Sequence, residues 1–129
     1  MQITGCAVSL TVDDVGASSA FFIKHLGFQE AMAADGFVSL RRDDAGMNVV
    51  LLRRGIEVLP PGFRDQRAAG VIVAFVVEDL EGEERRLRAE GVPITMALRE
   101  EPWGERLFQI TDPNGVVVEL VEWVRSPTA

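Results

Sequence analysis

The chain has 129 residues, 47% of them hydrophobic and 26% charged, a composition that belongs to one folded domain and excludes a disordered or fibrous segment. Twenty acidic side chains against thirteen basic ones leave a net charge of −7, which repels nucleic-acid phosphates and anionic lipid surfaces. No apolar run reaches membrane-spanning length and no leader pattern opens the chain, so a cytoplasmic protein with neither nucleic-acid nor membrane partner is expected.

The first element is an alternating strand, Cys6 to Val12, closed by Asp13 and Asp14. Cys6 is the only cysteine, so no internal disulfide can form, and its place in the strand predicts a small buried hydrophobe. Asp13 or Asp14 can cap a helix from about Val15 to Leu26, which Gly27 ends. Two strand-like runs follow, about Phe37 to Arg42 and Met47 to Leu52, around the turn Asp43-Asp44-Ala45-Gly46. The stretch after them, with Pro60-Pro61-Gly62 and little periodicity, reads as a linker over about 55–69, and its Phe63 is available to a cleft.

The pattern then starts again. Ile72-Val73-Ala74-Phe75-Val76-Val77-Glu78-Asp79 matches Ala7-Val8-Ser9-Leu10-Thr11-Val12-Asp13-Asp14, an internal repeat of apolar strand and paired acids. Asp79 can cap a helix from Leu80 to Glu90, with Glu81 and Arg85, and Glu84 and Arg88, spaced for exposed ion pairs, and Gly91 ends it. Strands from about Arg106 to Thr111 and Val116 to Val124 flank Asp112-Pro113-Asn114-Gly115, whose proline and glycine suit a tight turn. The organisation is therefore a single domain over 1–129, with module 1 at about 1–54, the linker at 55–69 and module 2 at about 70–125.

Period-two alternation puts Cys6, Val8, Leu10 and Val12 on one face, packed on the helices, and Ala7, Ser9 and Thr11 on the other. In the last strand Glu119 interrupts an apolar run, and a carboxylate there needs a partner, water or a ligand; Ser9 or a backbone group is the structural candidate. The only histidine, His25, falls in the last turn of the first helix, where a cation complements the dipole. Arg106 is expected to pair with Asp112 or Glu105. No Ser-His-Asp arrangement and no phosphate-binding loop is present, which leaves hydrolase and nucleotide-binding functions without support.

The doubled strand-helix-strands order, Leu10-Thr11-Val12-Asp13 followed by Phe21-Phe22 and Leu26-Gly27-Phe28, and the closing Asp112-Pro113-Asn114-Gly115-Val116-Val117-Val118-Glu119-Leu120 resemble the vicinal-oxygen-chelate superfamily of glyoxalases, bleomycin-resistance proteins and extradiol dioxygenases. The resemblance implies an α+β fold of two βαβββ modules, a curved mixed sheet around a cleft, and a homodimer, paired or strand-swapped. It also implies where metal ligands would stand: Ala7 and Ile72 in the first strands, Val50 and Glu119 in the last. Only one of those four can bind a divalent metal, so no metal and no other cofactor is expected. Trp103-Gly104-Glu105-Arg106-Leu107-Phe108 is similar to a segment of metal-free members that bind and sequester antibiotics. The resemblance thus points to a cytoplasmic resistance-type protein that sequesters a bulky aromatic or cationic natural product. Ser9, Phe37, Val50, Phe63, Trp103, Phe108, Glu119 and Trp123 are its candidate ligand contacts, with no catalytic residue. The alternative is a metal-free enzyme of natural-product metabolism using Glu119 as general acid or base; a metal-dependent lyase or dioxygenase ranks behind both.

Overall fold

The computed structural model describes residues 1–124, so the expected module end at residue 125 lies outside the described residues. In chain order the elements are β1 (Ala7–Val12), α1 (Val15–Leu26), β2 (Gln29–Ala34), β3 (Phe37–Arg41), β4 (Asn48–Arg53), β5 (Ile72–Val76), α2 (Leu80–Ala89), β6 (Ile94–Glu100), β7 (Glu105–Thr111) and β8 (Val117–Trp123). The fold is α+β, two βαβββ modules that each carry one helix and a four-stranded mixed sheet, in the orders β1-β4-β3-β2 and β5-β8-β7-β6. In each sheet the first strand pairs parallel with the last and the remaining pairs are antiparallel. Two compact units meet at the Ala69–Gly70 bond.

Local chemistry sets the helix ends. Asp14 accepts a hydrogen bond from the Ala17 N–H at 3.0 Å and Asp79 one from the Gly82 N–H at 3.1 Å, so each satisfies a donor that the first turn leaves unpaired. Asp13, the other candidate cap, instead takes Arg54 at 2.9 Å and Arg67 at 3.2 Å. Gly27 closes α1 in the left-handed conformation at φ 71°, which a side chain resists. On α2 the cap position is Glu90, and the Gly91 and Val92 N–H groups turn back to the Arg88 and Leu87 carbonyls.

In the first unit Phe22 and Leu26 of α1 are buried, as are Leu10 and Val12 of β1, Leu40 of β3 and Val49 and Leu51 of β4. Ser18 lies four residues before Phe22 on the same helical face, and it too is buried. Phe28, just past the cap, meets Phe22 edge-on with ring centroids 5.6 Å apart. Cys6 corrects the reading of the sequence, since it is exposed. Strand pairing begins only at Ala7 opposite Asn48, and Cys6 contributes just its carbonyl, to the Asn48 N–H. His25 does lie in the last turn of α1, where its ring meets Phe21 edge-on at 5.2 Å.

The segment after β4 is tied back onto its own unit. The Arg54 N–H bonds to the Val12 carbonyl and the Ala68 N–H to the Thr11 carbonyl, so both ends of the loop hang from adjacent residues of β1. Inside it the Gly55 N–H reaches the Arg64 carbonyl and the Arg64 guanidinium the Leu59 carbonyl. Closely spaced ends and internal hydrogen bonds are the marks of an Ω-loop.

In the second unit Leu80 and Leu87 of α2 are buried with Val73, Phe108, Ile110, Val118 and Leu120 of the sheet. Arg106 does not pair with Asp112 or Glu105; it bridges Glu122 of β8, at 2.9 Å, and Glu81 of α2. Glu122 also accepts from the Leu80 N–H at 3.2 Å, so one arginine and two carboxylates join β7, β8 and the start of α2. Glu81 thus pairs with Arg106, whereas Glu84 and Arg88 pair along the helix as expected. Asp112 is occupied by the turn itself, accepting from the Asn114 and Val116 N–H groups at 2.9 and 2.8 Å.

The Arg106 hydrogen bond, followed by a backbone hydrogen bond, holds the Glu81 carboxyl below the usual glutamate range. A depressed folded-state value means a contribution to stability that is present at neutral pH and lost as pH falls through that value. Urea unfolding at a series of pH values should therefore show a smaller acid-side loss of stability for Glu81→Gln than for the parent chain. Asp35 and Asp44, held low by Arg53 and Arg42, keep part of that loss in the variant.

Candidate functional site

One helix covers one face of each four-stranded sheet, so cross-strand register tells which side chains are left on the other face. In the second unit Ala74, Glu119 and Gln109 stand opposite one another across β5, β8 and β7, and Met96 of β6 pairs with Gln109. The corresponding rank of the first unit is Ser9, Val50, Ser39 and Met32. The repeat thus places a carboxylate and a carboxamide in one module where the other has a valine and a serine.

Glu119 sits in β8 between Val118 and Leu120, which point to the helix-covered core, and shares its own face with Val117 and Val121. It is 8% exposed, and its Oε1 accepts a hydrogen bond of 2.9 Å from Gln109 Nε2. Among the described residues the partner is therefore Gln109, and neither Ser9 nor a backbone group. On the same face Ile72 and Val76 of β5 are exposed apolar side chains, while Leu107 and Val121 are buried. The arrangement is a carboxylate and carboxamide pair beside apolar side chains, with Thr111 and Glu105 further along the same face of β7, a mixture that small-molecule sites use.

The structure distributes the sequence-derived contacts over both units. Ser9, exposed, and Val50 and Phe37, half-buried, share the uncovered face of the first sheet. Phe63 is 57% exposed on the Ω-loop. Trp103 is 59% exposed in the β6–β7 connection, and its indole N–H donates to Glu105 at 3.1 Å. Trp123, half-buried, ends β8 directly across from Glu105, so both indoles lie at the same end of the second sheet as that carboxylate. Phe108 is a correction: it is 0% exposed and, one residue from Gln109, points away from Glu119 into the core beneath α2.

Gln109 is the residue that reading the sequence missed. It could have been found by counting outward from the Asp112-Pro113-Asn114-Gly115 turn, because the pair Asp112 and Val116 fixes Thr111 opposite Val117 and Gln109 opposite Glu119.

The divalent metal implied by the resemblance does not fit these residues. Ala7, Ile72 and Val50 offer no donor, and Glu119 alone falls short of the roughly three nitrogen or oxygen ligands that a catalytic site uses. Among the described residues no group of three His, Cys, Asp or Glu side chains is placed to hold a metal ion. A shallow hollow of about 300 Å³ at the end of α1 is lined by Gly27, Gln29, Arg42, Asp43 and Asp44. Its arginine is committed to the Leu26 carbonyl at 2.6 Å and to both oxygens of Asp44. No helix among the described residues is long and apolar enough to cross a membrane.

Residues 5–120 match the model of the Glyoxalase/Bleomycin resistance protein/Dioxygenase superfamily. Among solved structures, a glyoxalase/bleomycin resistance protein/dioxygenase from Nocardioides is 22% identical with a TM-score of 0.76, over 98% of this chain and 87% of that one. Lactoylglutathione lyase from Agrobacterium tumefaciens is 20% identical with a TM-score of 0.71, over 91% of each chain. TioX from Micromonospora sp. ML1 is 22% identical with a TM-score of 0.71, over 94% of this chain and 99% of that one. At these identities the likeness is one of fold. No curated protein matches the chain.

The opposite placements of Phe108 and Glu119 predict different responses to mutation. Phe108→Ala should cost about 3–5 kcal/mol in urea unfolding, as a large core truncation does. Glu119→Gln keeps the side-chain volume and a hydrogen-bonding partner for Gln109, and its unfolding midpoint should lie far closer to that of the parent.

Proposed function

Given that the chain belongs to the glyoxalase/bleomycin resistance protein/dioxygenase superfamily, we propose that it is a metal-independent binding protein that sequesters a bulky aromatic or cationic natural product. The observation that carries this reading is the uncovered face of the second sheet. There, Glu119 and Gln109 form a polar pair beside Val117, Val121 and Leu107, and of the four positions where the resemblance puts metal ligands, Ala7, Ile72 and Val50 cannot hold a metal. Capture requires only apolar contact area, a flat stacking partner and a few directed polar groups. Trp103, exposed beside Glu105, supplies an indole for stacking, and Trp123 a second at the same end of the sheet. The net charge of −7 favours approach of a cation. Protection of the host by sequestration, as an antibiotic-resistance protein, is the role that fits such capture, in the cytoplasm and as a homodimer.

A second reading draws on Glu119 as well. A buried carboxylate whose only hydrogen-bonding partner among the described residues is a carboxamide is also suited to move a proton, so the same face could serve a metal-free enzyme of natural-product metabolism.

Titration with a panel of bulky aromatic and cationic natural products, followed by tryptophan fluorescence and then by mass spectrometry of the recovered compound, separates the two. Sequestration predicts quenching, an unchanged mass and weaker binding for Trp103→Ala. A changed mass makes the protein an enzyme, and absence of binding across the panel removes both readings.

A further inference from the structure

The polar pair on the second sheet has a direction. A carboxylate only accepts hydrogen bonds, so the Gln109 amide must turn its NH2 toward Glu119, and its carbonyl oxygen is turned away. Glu119 Oε2 receives no hydrogen bond from the described residues, and no arginine or lysine among them forms an ion pair with Glu119. Of the described arginines of the second unit, Arg106 is engaged with Glu81 and Glu122, Arg86 with Glu83 and Glu90, Arg88 with Glu84, and Arg99 with Glu101. What remains is a carboxylate, 8% exposed, with one oxygen that no described residue bonds, next to a carboxamide oxygen and beside the apolar Val117, Val121 and Leu107. Among the described residues no buried side-chain oxygen lacks a partner, so this oxygen meets solvent in the free chain. A ligand that covers it without a donor leaves it desolvated and unpaired, which is costly, and a donor on the ligand removes that cost.

We infer that Glu119 and Gln109 read a hydrogen-bond donor, an N–H or N⁺–H group carried on a flat apolar body. The inference rests on the reading that this face binds ligand, and it adds what the ligand must present. The pair discriminates by polarity: a ligand of the same shape with an acceptor or a methyl group at that place meets the carboxylate oxygen unpaired. The rank in the first unit, Ser9, Val50, Ser39 and Met32, has no charge and makes no such demand.

Three tricyclic probes of nearly one shape test this by calorimetric titration: 9-aminoacridine, a cation with N–H donors; acridone, neutral with an N–H donor; and N-methylacridone, neutral with none. The parent chain should bind them in that order. The first should be favoured over the last by about ten- to a hundredfold, the range of a hydrogen bond to a charged group. Glu119→Gln should collapse the ranking while N-methylacridone keeps its affinity. Equal binding of all three by the parent chain overturns the inference and leaves the binding reading in place. A ranking that survives in Glu119→Gln overturns the assignment to Glu119, and failure of every probe to bind counts against both readings. The ranking in the parent chain needs no variant, so the test stands even where Glu119→Gln folds poorly.

Discussion

Which side chains face away from the core in this protein follows from a shortage of helix. Each module supplies four strands and one helix, and one helix covers one face of a sheet. Along the strands this constraint is written as alternation: Leu10, Val12, Val49 and Leu51 go to the covered side of the first sheet, and Val73, Val118, Leu120 and Ile110 to that of the second. The side chains between them point to the face opposite the helix. Ser9 and Val50 stand there in one module, Ala74 and Glu119 in the other, and chemistry can be placed at these positions without disturbing the core.

Duplication divides the labour further. The two modules share the capped helix and the parallel pairing of first and last strands, yet they spend their polar residues differently. Of the paired acids that close the first strand, Asp14 caps α1 while Asp13 gathers Arg54 and Arg67 of the loop. In the second module the corresponding tie runs from Arg106 through Glu122 and Glu81 to the start of α2. Arg106 lies one residue after Glu105 and thus on the core side of β7, opposite to the face that carries Glu119. It ties β7 to β8 and to the start of α2 through Glu122 and Glu81.

Much of this was legible in the sequence because the deciding forces are local. The helix limits, the repeat and the Asp112-Pro113-Asn114-Gly115 turn depend on caps, glycines and period-two patterning, and they stand where those signals put them. β2 was not located from the sequence because every one of its residues is exposed, so no alternation marks it; β6 likewise has no deeply buried residue. The partners of Arg106 and Glu119 were misplaced for another reason. Both are set by which residue stands across the sheet, a non-local fact that residue type does not carry, although the hairpin turn held the count for Gln109. Phe108 shows the limit of composition: an aromatic residue suits a binding wall and a core equally, and only its phase relative to Glu119 decides.

The Ω-loop has a consequence for how such a chain can change. Its two ends are held by the carbonyls of Thr11 and Val12, neighbours on one strand, so the span between the anchors does not depend on how much chain lies between them. Closing a longer loop costs only a logarithmic increment of entropy. Insertions and deletions between residues 55 and 67 can therefore accumulate without shifting the register of β1 against β4. The segment that bears Phe63 is free to diversify in length and composition while the sheets behind it keep their form.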